Sequence, residues 1–359
     1  MSGSNFTRRD FLNAIAVTGA ASTISPFQVL AANEPVKLSP SRKIKVVSVT
    51  NLSKKDMERI MAVSENLELQ ELKDNSQAIL QDAEVIIGGI NTEMLSKAKN
   101  LKWVQLYGAG VEWMPKELIA HPVVVTNMAR TFAPVIAETA IGLLLSLTRG
   151  LVQFAIPNFN NKTWNGTPPP GIVLDDLYNK TIGIVGMGGI GSETARRLHY
   201  GFNMKVLATD AKPMYKPEFV AELHDPSWFM KMVPQVDVLM SAAPLTAQTK
   251  EMFNEEVFNK MKPSSYFINV SRGGLVKQDA LINALKNKKI RGAGLDVATP
   301  EPLPASSELW SCPNLVITSH NSAHADSRFE RQISLVVENL HRYVSNEPLI
   351  NVVDKQKGY

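Results

Sequence analysis

Four polar residues with complementary chemistry stand at the ends of three apolar runs late in the chain. They are Arg272 in "FINVSRGGLV", Asp296 and Glu301 in "GAGLDVATPEPLP", and His320 in "LVITSHNSAH". An arginine clamps an anion with a planar fork of donors, a histidine gives or takes a proton near neutral pH, and a nearby carboxylate orients the ring. Together they describe acid–base chemistry on a substrate that carries an anion. Upstream, Gly186, Gly188 and Gly191 form G-x-G-x-x-G within "TIGIVGMGGIGSETARRL". The first glycine permits a tight turn, the second lets the backbone approach a pyrophosphate, and the third allows close helix–strand packing. The helix that follows offers free N–H groups to the phosphates. Asp210 closes the next run, "MKVLATD", at the separation where an acid meets the adenosine ribose. Its carboxylate accepts hydrogen bonds from ribose hydroxyls and repels a 2′-phosphate, so NAD is expected ahead of NADP, although Lys212 softens that choice.

The elements that must position these residues alternate between short apolar runs and helical patterns. The first series reads "KIKVVSV", "KDMERIMAVSEN", "DAEVIIGG", "EMLSKAKN" and "LKWVQLYG", and predicts a parallel sheet with helices on both faces. A second series has six candidate strands, "KTIGIVG", "MKVLATD", "VDVLMSAAP", "SYFINVS", "IRGAGLDV" and "NLVITSH". In an open parallel sheet the loops at the strand carboxyl ends line the ligand crevice, so Arg272, Asp296, Glu301 and His320 should face a bound nucleotide. Gly108-Ala109-Gly110 in "LYGAGVEW" ends a strand of the first series and can turn backbone N–H groups onto an anion. Between the series, residues 134–151 read as a long buried helix, in which Glu138 and a short apolar length argue against a membrane span. "NNKTWNGTPPPG" after it reads as a surface loop.

A chain of 359 residues predicts two domains of roughly 150 residues each. A formal charge of +4 without a long basic run does not imply nucleic acid or a membrane surface as partner. The only cysteine, Cys312, excludes an internal disulfide and any site needing several thiolates. His320 and His324 sit four apart, but "HNSAH" lacks the glutamate of a zincin helix and a third ligand, so no metal is expected. At the other end, "TRRDFL" places Arg8-Arg9 before an uncharged, alanine-rich run that reaches Leu30-Ala31-Ala32. This is the pattern of a twin-arginine export signal. Residues 1–32 are expected to be removed on export to the periplasm, with no stable membrane insertion afterwards. That route carries folded proteins, so a nucleotide held tightly before export is also expected.

In this order the motifs resemble the D-2-hydroxyacid dehydrogenase family, almost continuously over residues 43–353. The likeness is densest in "KTIGIVGMGGIGSETARRL", "APLTAQTKEMFNEEVFNKMKP", "INVSRGGLVKQDAL" and "GAGLDVATPEPLP". The resemblance implies that Arg272, Glu301 and His320 are catalytic, and that Asp296 holds the nicotinamide end. It implies dinucleotide contacts from Gly189, Ile190, Ala243, Pro244, Ser271 and Arg272, beside Gly186, Gly188, Gly191 and Asp210. It also implies that Ala109, Gly110, Thr131 and Arg272 meet the substrate. The reaction implied is hydride transfer between NAD(H) and a small 2-hydroxyacid or 2-oxoacid, glyoxylate- or hydroxypyruvate-like or larger, with His320 as acid and base.

The implied architecture is α/β, with two doubly wound parallel-sheet domains. A Rossmann-type cofactor domain, residues 149–321, is inserted into a flavodoxin-like substrate domain formed by residues 41–148 and 322–354. A homodimer is implied too, with residues 134–151 and the adjacent loop as candidate interface. The sequence departs from the family pattern at Met128-Ala129-Arg130-Thr131-Phe132, beside the substrate, where side chains are expected to set specificity. It also has Ser319-His320 where Pro-His is common. The alternative function is a non-catalytic NAD-binding sensor or scaffold, against which the complete set of Arg272, Glu301 and His320 argues.

Overall fold

The computed structural model describes residues 42–73 and 77–359, so the expected export signal lies outside the described residues. The first sheet holds β1 (Ile44–Ser48), β2 (Leu67–Glu71), β3 (Val85–Ile87), β4 (Trp103–Gln105) and β5 (Val124–Thr126) in the order β2-β1-β3-β4-β5. That is the flavodoxin-like order. The second sheet holds β6 (Thr181–Val185), β7 (Lys205–Thr209), β8 (Glu222–His224), β9 (Val238–Ser241), β10 (Tyr266–Asn269), β11 (Gly292–Leu295) and β12 (Leu315–Ile317). Its order, β12-β11-β10-β9-β6-β7-β8, is the dinucleotide-binding arrangement with one strand added beyond β11. Every pairing in both sheets is parallel. Central strands such as β3, β4, β9 and β10 are buried along their whole length, as sheets covered on both faces require.

The second sheet therefore has seven strands where the sequence reading expects six. The additional strand, β8, carries only Glu-Leu-His at the sheet edge, and so gives little apolar signal. β2 and β5 of the first sheet were likewise not among the expected strands.

The helix Ala133–Thr148 is two-sided and mostly buried. It ends earlier than the expected residue 151, because Gly150 takes a left-handed φ of 59° and a short wide-turn segment, Leu151–Ala155, begins. The helix packs on the helix Gly189–Phe202 and on β10, β11 and β12. Glycines in β11 make room for it: a Cβ at Gly294 would stand 2.8 Å from Leu143 Cβ, and one at Gly292 3.3 Å from Leu147 Cδ2. No single helix among the described residues is long and apolar enough to cross a membrane.

The chain returns to the first sheet through the C-terminal helix Arg328–Val344. Buried polar groups tie it down: Asn339 Nδ2 donates to Gln105 Oε1 at 2.9 Å, and Asn339 Oδ1 accepts from the Ile350 N–H at 2.7 Å. Tyr343 stacks on Trp103 at 5.3 Å and donates to the buried Glu84 at 2.7 Å. Two crossings of the chain thus join the units, and the carboxyl ends of β4 and β10 come to face each other where Arg272 meets Glu112.

Candidate active site

The glycine turn after β6 has the form that a pyrophosphate needs. Gly186 adopts a φ of 96°, and a Cβ there would approach the Ala242 carbonyl oxygen to 2.7 Å, so its backbone fits directly against the Ala242–Ala243 segment after β9. A Cβ on Gly191 would overlap the Gly186 carbonyl oxygen. At Gly188, by contrast, nothing lies within 4 Å of the Cβ position, which leaves open space before the helix begins at Gly189 and Ile190. Open space, a turn without side chains and the free N–H groups of a helix start fit a dinucleotide phosphate.

Asp210 follows β7 and faces this turn. Its Oδ2 accepts from the Met187 N–H at 2.6 Å and its Oδ1 from the Lys212 N–H at 2.7 Å. The Lys212 ammonium stands beside it, 4.3 Å from the ring centre of Tyr359. Burial pulls the Lys212 pKa down, more than Asp210 and Asp354 raise it. Ala243 borders the same turn, Pro244 follows it with its carbonyl held by the Thr249 hydroxyl at 2.7 Å, and the Ser271 hydroxyl donates to the Ser241 carbonyl at 2.9 Å, which fixes the loop that carries Arg272.

At the other end of the crevice, His320 Nδ1 donates to Glu301 Oε2 at 2.6 Å, and Glu301 Oε1 accepts from the Ala298 N–H at 2.9 Å. The carboxylate is thereby held at both oxygens, and the ring nitrogen Nε2 is left for a substrate. His320 has a left-handed φ of 51°, unusual for a residue with a side chain. Asp296, only 1% exposed, keeps it there. Its carbonyl accepts from the His320 N–H at 2.7 Å, and its carboxylate takes the Thr318 hydroxyl at 2.5 Å and the Asn321 and Ser322 N–H groups at 3.1 and 3.2 Å. The role visible for Asp296 is thus to brace the histidine turn.

Arg272 reaches across to the first sheet's unit. Its Nη1 donates to the Ser271 carbonyl at 2.8 Å, and its Nε to Glu112 Oε1 at 2.6 Å. The guanidinium lies so close to Gly110 that a Cβ there would overlap Nη2. Among the described residues the N–H groups of Ala109 and Gly110 donate to no acceptor, while the Ala109 carbonyl is held by Asn127 Nδ2 at 2.7 Å. The turn and the arginine therefore stand together, with donors that could hold an anion. Burial raises the Glu112 pKa, but the hydrogen bond and charge of Arg272, with the backbone N–H groups of Glu112 and Val111, outweigh it and hold the carboxyl below its ordinary range. Glu112 was not among the expected site residues. Its only signal is an acid two residues after a glycine turn.

The segment after β5 is a partial correction. Met128 is fully buried and Phe132 nearly so, so both serve the core and not the substrate. Ala129, Arg130 and Thr131 remain accessible, with the Thr131 hydroxyl turned to Met128 Sδ at 3.9 Å.

The family model described as D-isomer specific 2-hydroxyacid dehydrogenase, NAD binding domain, matches residues 141–322. The glyoxylate/hydroxypyruvate reductase B of Escherichia fergusonii is 32% identical over 282 residues, covering 77% of this chain and 85% of that protein. The structure of a D-isomer specific 2-hydroxyacid dehydrogenase family protein from Aeromonas salmonicida superposes with a TM-score of 0.74 at 28% identity, over 88% of this chain and 99% of that one. An NADPH-dependent glyoxylate/hydroxypyruvate reductase from Sinorhizobium meliloti, solved with NADP and malonate, gives 0.69 at 27% identity, over 88% and 98%. With these matches spanning both sheets and the cleft between them, the chain belongs to the D-isomer specific 2-hydroxyacid dehydrogenase family and is an oxidoreductase of 2-hydroxyacids.

Proposed function

We propose that this protein interconverts a small 2-oxoacid, of the glyoxylate or hydroxypyruvate kind, and its 2-hydroxyacid, with NAD(H) and with His320 as acid and base. The observation that carries the reading is the His320–Glu301 pair at 2.6 Å, set in the same cleft as Arg272 and the Ala109–Gly110 turn. Bound nicotinamide supplies or accepts the hydride at the carbon bearing oxygen. Arg272 and the N–H groups of Ala109 and Gly110 hold the substrate carboxylate and fix that carbon. His320 Nε2 gives a proton to the carbonyl oxygen during reduction and removes it during oxidation, while Glu301 keeps the ring aligned. The two chain crossings allow the units to close and exclude water.

The Asp210 carboxylate, at the ribose end, supports NAD(H). Lys212 is the opposing feature, and the NADPH-dependent relative makes the comparison worth measuring. The deciding assay follows reduced-nicotinamide absorbance with glyoxylate, hydroxypyruvate, pyruvate and phenylpyruvate, each with NADH and with NADPH. Turnover with one of them supports the reading. Tight NADH binding without turnover of any oxoacid would favour a sensor or scaffold instead.

Two further parts of the reading concern the whole protein. A homodimer accounts for the apolar side chains exposed on residues 151–173, among them Ile156, Phe159, Trp164 and Val173; sedimentation of the purified protein decides it. Export rests on "TRRDFL", and cell fractionation of the wild type beside an Arg8→Lys, Arg9→Lys variant tests it.

A further inference from the structure

We propose that Glu112 is a built-in carboxylate ligand of the anion site, which a substrate must displace from Arg272, and that it thereby selects 2-oxoacids against simple carboxylates. This rests on the reading of the cleft as a 2-oxoacid site. Three observations converge on it. Glu112 Oε1 takes the Arg272 Nε–H at 2.6 Å, although the residues lie 160 positions apart and belong to different units. Its Oε2 and Oε1 lie 2.6 and 3.1 Å from the Cβ position of Gly110, the same place where Arg272 Nη2 rests. The pair is partly shielded, with side-chain exposures of 39% for Glu112 and 30% for Arg272. A carboxylate of the chain thus stands on the ground that the glycine turn and the arginine prepare for a carboxylate.

The consequence for selection follows from competition. An internal ligand on a short tether has an effective concentration on the order of mM, so it outcompetes a dilute free carboxylate that offers nothing more than its charge. A 2-oxoacid brings a second contact, since its carbonyl oxygen reaches the His320 proton while its carboxylate meets Arg272. Chelation of this kind lets it displace Glu112 where acetate fails. Glu112 then sets the apparent affinity without taking part in proton or hydride transfer.

The test uses the full-length protein loaded with NADH and titrated calorimetrically with acetate and with oxamate, a non-reducible analogue, in wild type, Glu112→Gln and Glu112→Asp. Glu112→Gln is expected to bind acetate about tenfold or more tightly, a difference of about 1.4 kcal/mol, and to gain less for oxamate. In steady-state assays its effect should fall on KM, which decreases, more than on kcat, and Glu112→Asp should return part of the selection. Unchanged or weaker acetate binding in Glu112→Gln, or a raised KM with a lowered kcat, overturns the proposal and makes Glu112 a support for Arg272. The two readings separate cleanly. If wild type reduces 2-oxoacids and Glu112→Gln gains no anion affinity, the exchange fails alone. If no oxoacid is reduced but acetate affinity still rises in the variant, the exchange stands and the catalytic reading fails.

Discussion

On the cofactor side of the cleft, the important positions are held by backbone contact and buried hydrogen bonds. Gly191 presses on Gly186, Gly186 on Ala242, and Asp296 is buried beneath four donors. On the substrate side, Arg272 and Glu112 are about a third exposed, meet from different units, and are joined by charge. The first region tolerates no change in backbone position. The second is built to exchange one anion for another. A cofactor shared by a whole family can be met by a rigid mould, whereas selection among small acids needs a contact that gives way.

The sharpest break of this comparison lies at the histidine. His320→Ala removes the proton donor from a turn that Asp296 continues to hold, so turnover should fall by about 10²–10⁴-fold with NADH affinity retained. Near-wild-type rates would show that the rigid side does not carry the chemistry. Gly191→Ala comes next. Its Cβ would overlap the Gly186 carbonyl, so the cradle must shift, and kcat/KM should drop by about 10²-fold, chiefly through weaker nucleotide binding seen by NADH fluorescence. If binding is untouched, the mould is softer than the contacts indicate.

A smaller effect is expected at Lys212, which sits beside Asp210. Lys212→Ala should raise the preference for NADH over NADPH by about fivefold, measured as a ratio of kcat/KM values. A shift in the other direction would mean that the lysine serves the ribose hydroxyls. Smallest for function is Tyr343→Phe, far from the cleft. It removes the donor to buried Glu84 and should cost about 1–3 kcal/mol in urea unfolding while leaving kcat/KM alone. A large loss of activity there would show that the first unit's anchoring is coupled to the cleft.

Much of this was legible before any coordinates. The glycine turn, Asp210 and the ordered set Arg272, Glu301 and His320 are local signals: each depends on residue type, spacing and a neighbouring strand. The short edge strand β8 was not legible, because three residues reading Glu-Leu-His carry no periodicity worth the name. The helix Ala133–Thr148 was legible as a buried helix, but its packing against β10, β11 and β12 was not, since an apolar helix looks the same whichever sheet it covers. Met128 was expected at the substrate and lies in the core, because a segment's place near a site does not say which of its faces turns inward.

The sequence by itself determined the strand–turn–helix of the nucleotide cradle and the chemical types around it, because these follow from short-range sterics and from what each side chain can donate or accept. Only the tertiary structure decided three things: that Glu112 would meet Arg272, that Asp296 would spend its oxygens on the turn bearing His320, and that Gly292 and Gly294 would admit Leu147 and Leu143. Each joins residues distant along the chain. Such contacts are set by how the two sheets and their crossing helices close-pack, and no local pattern encodes that.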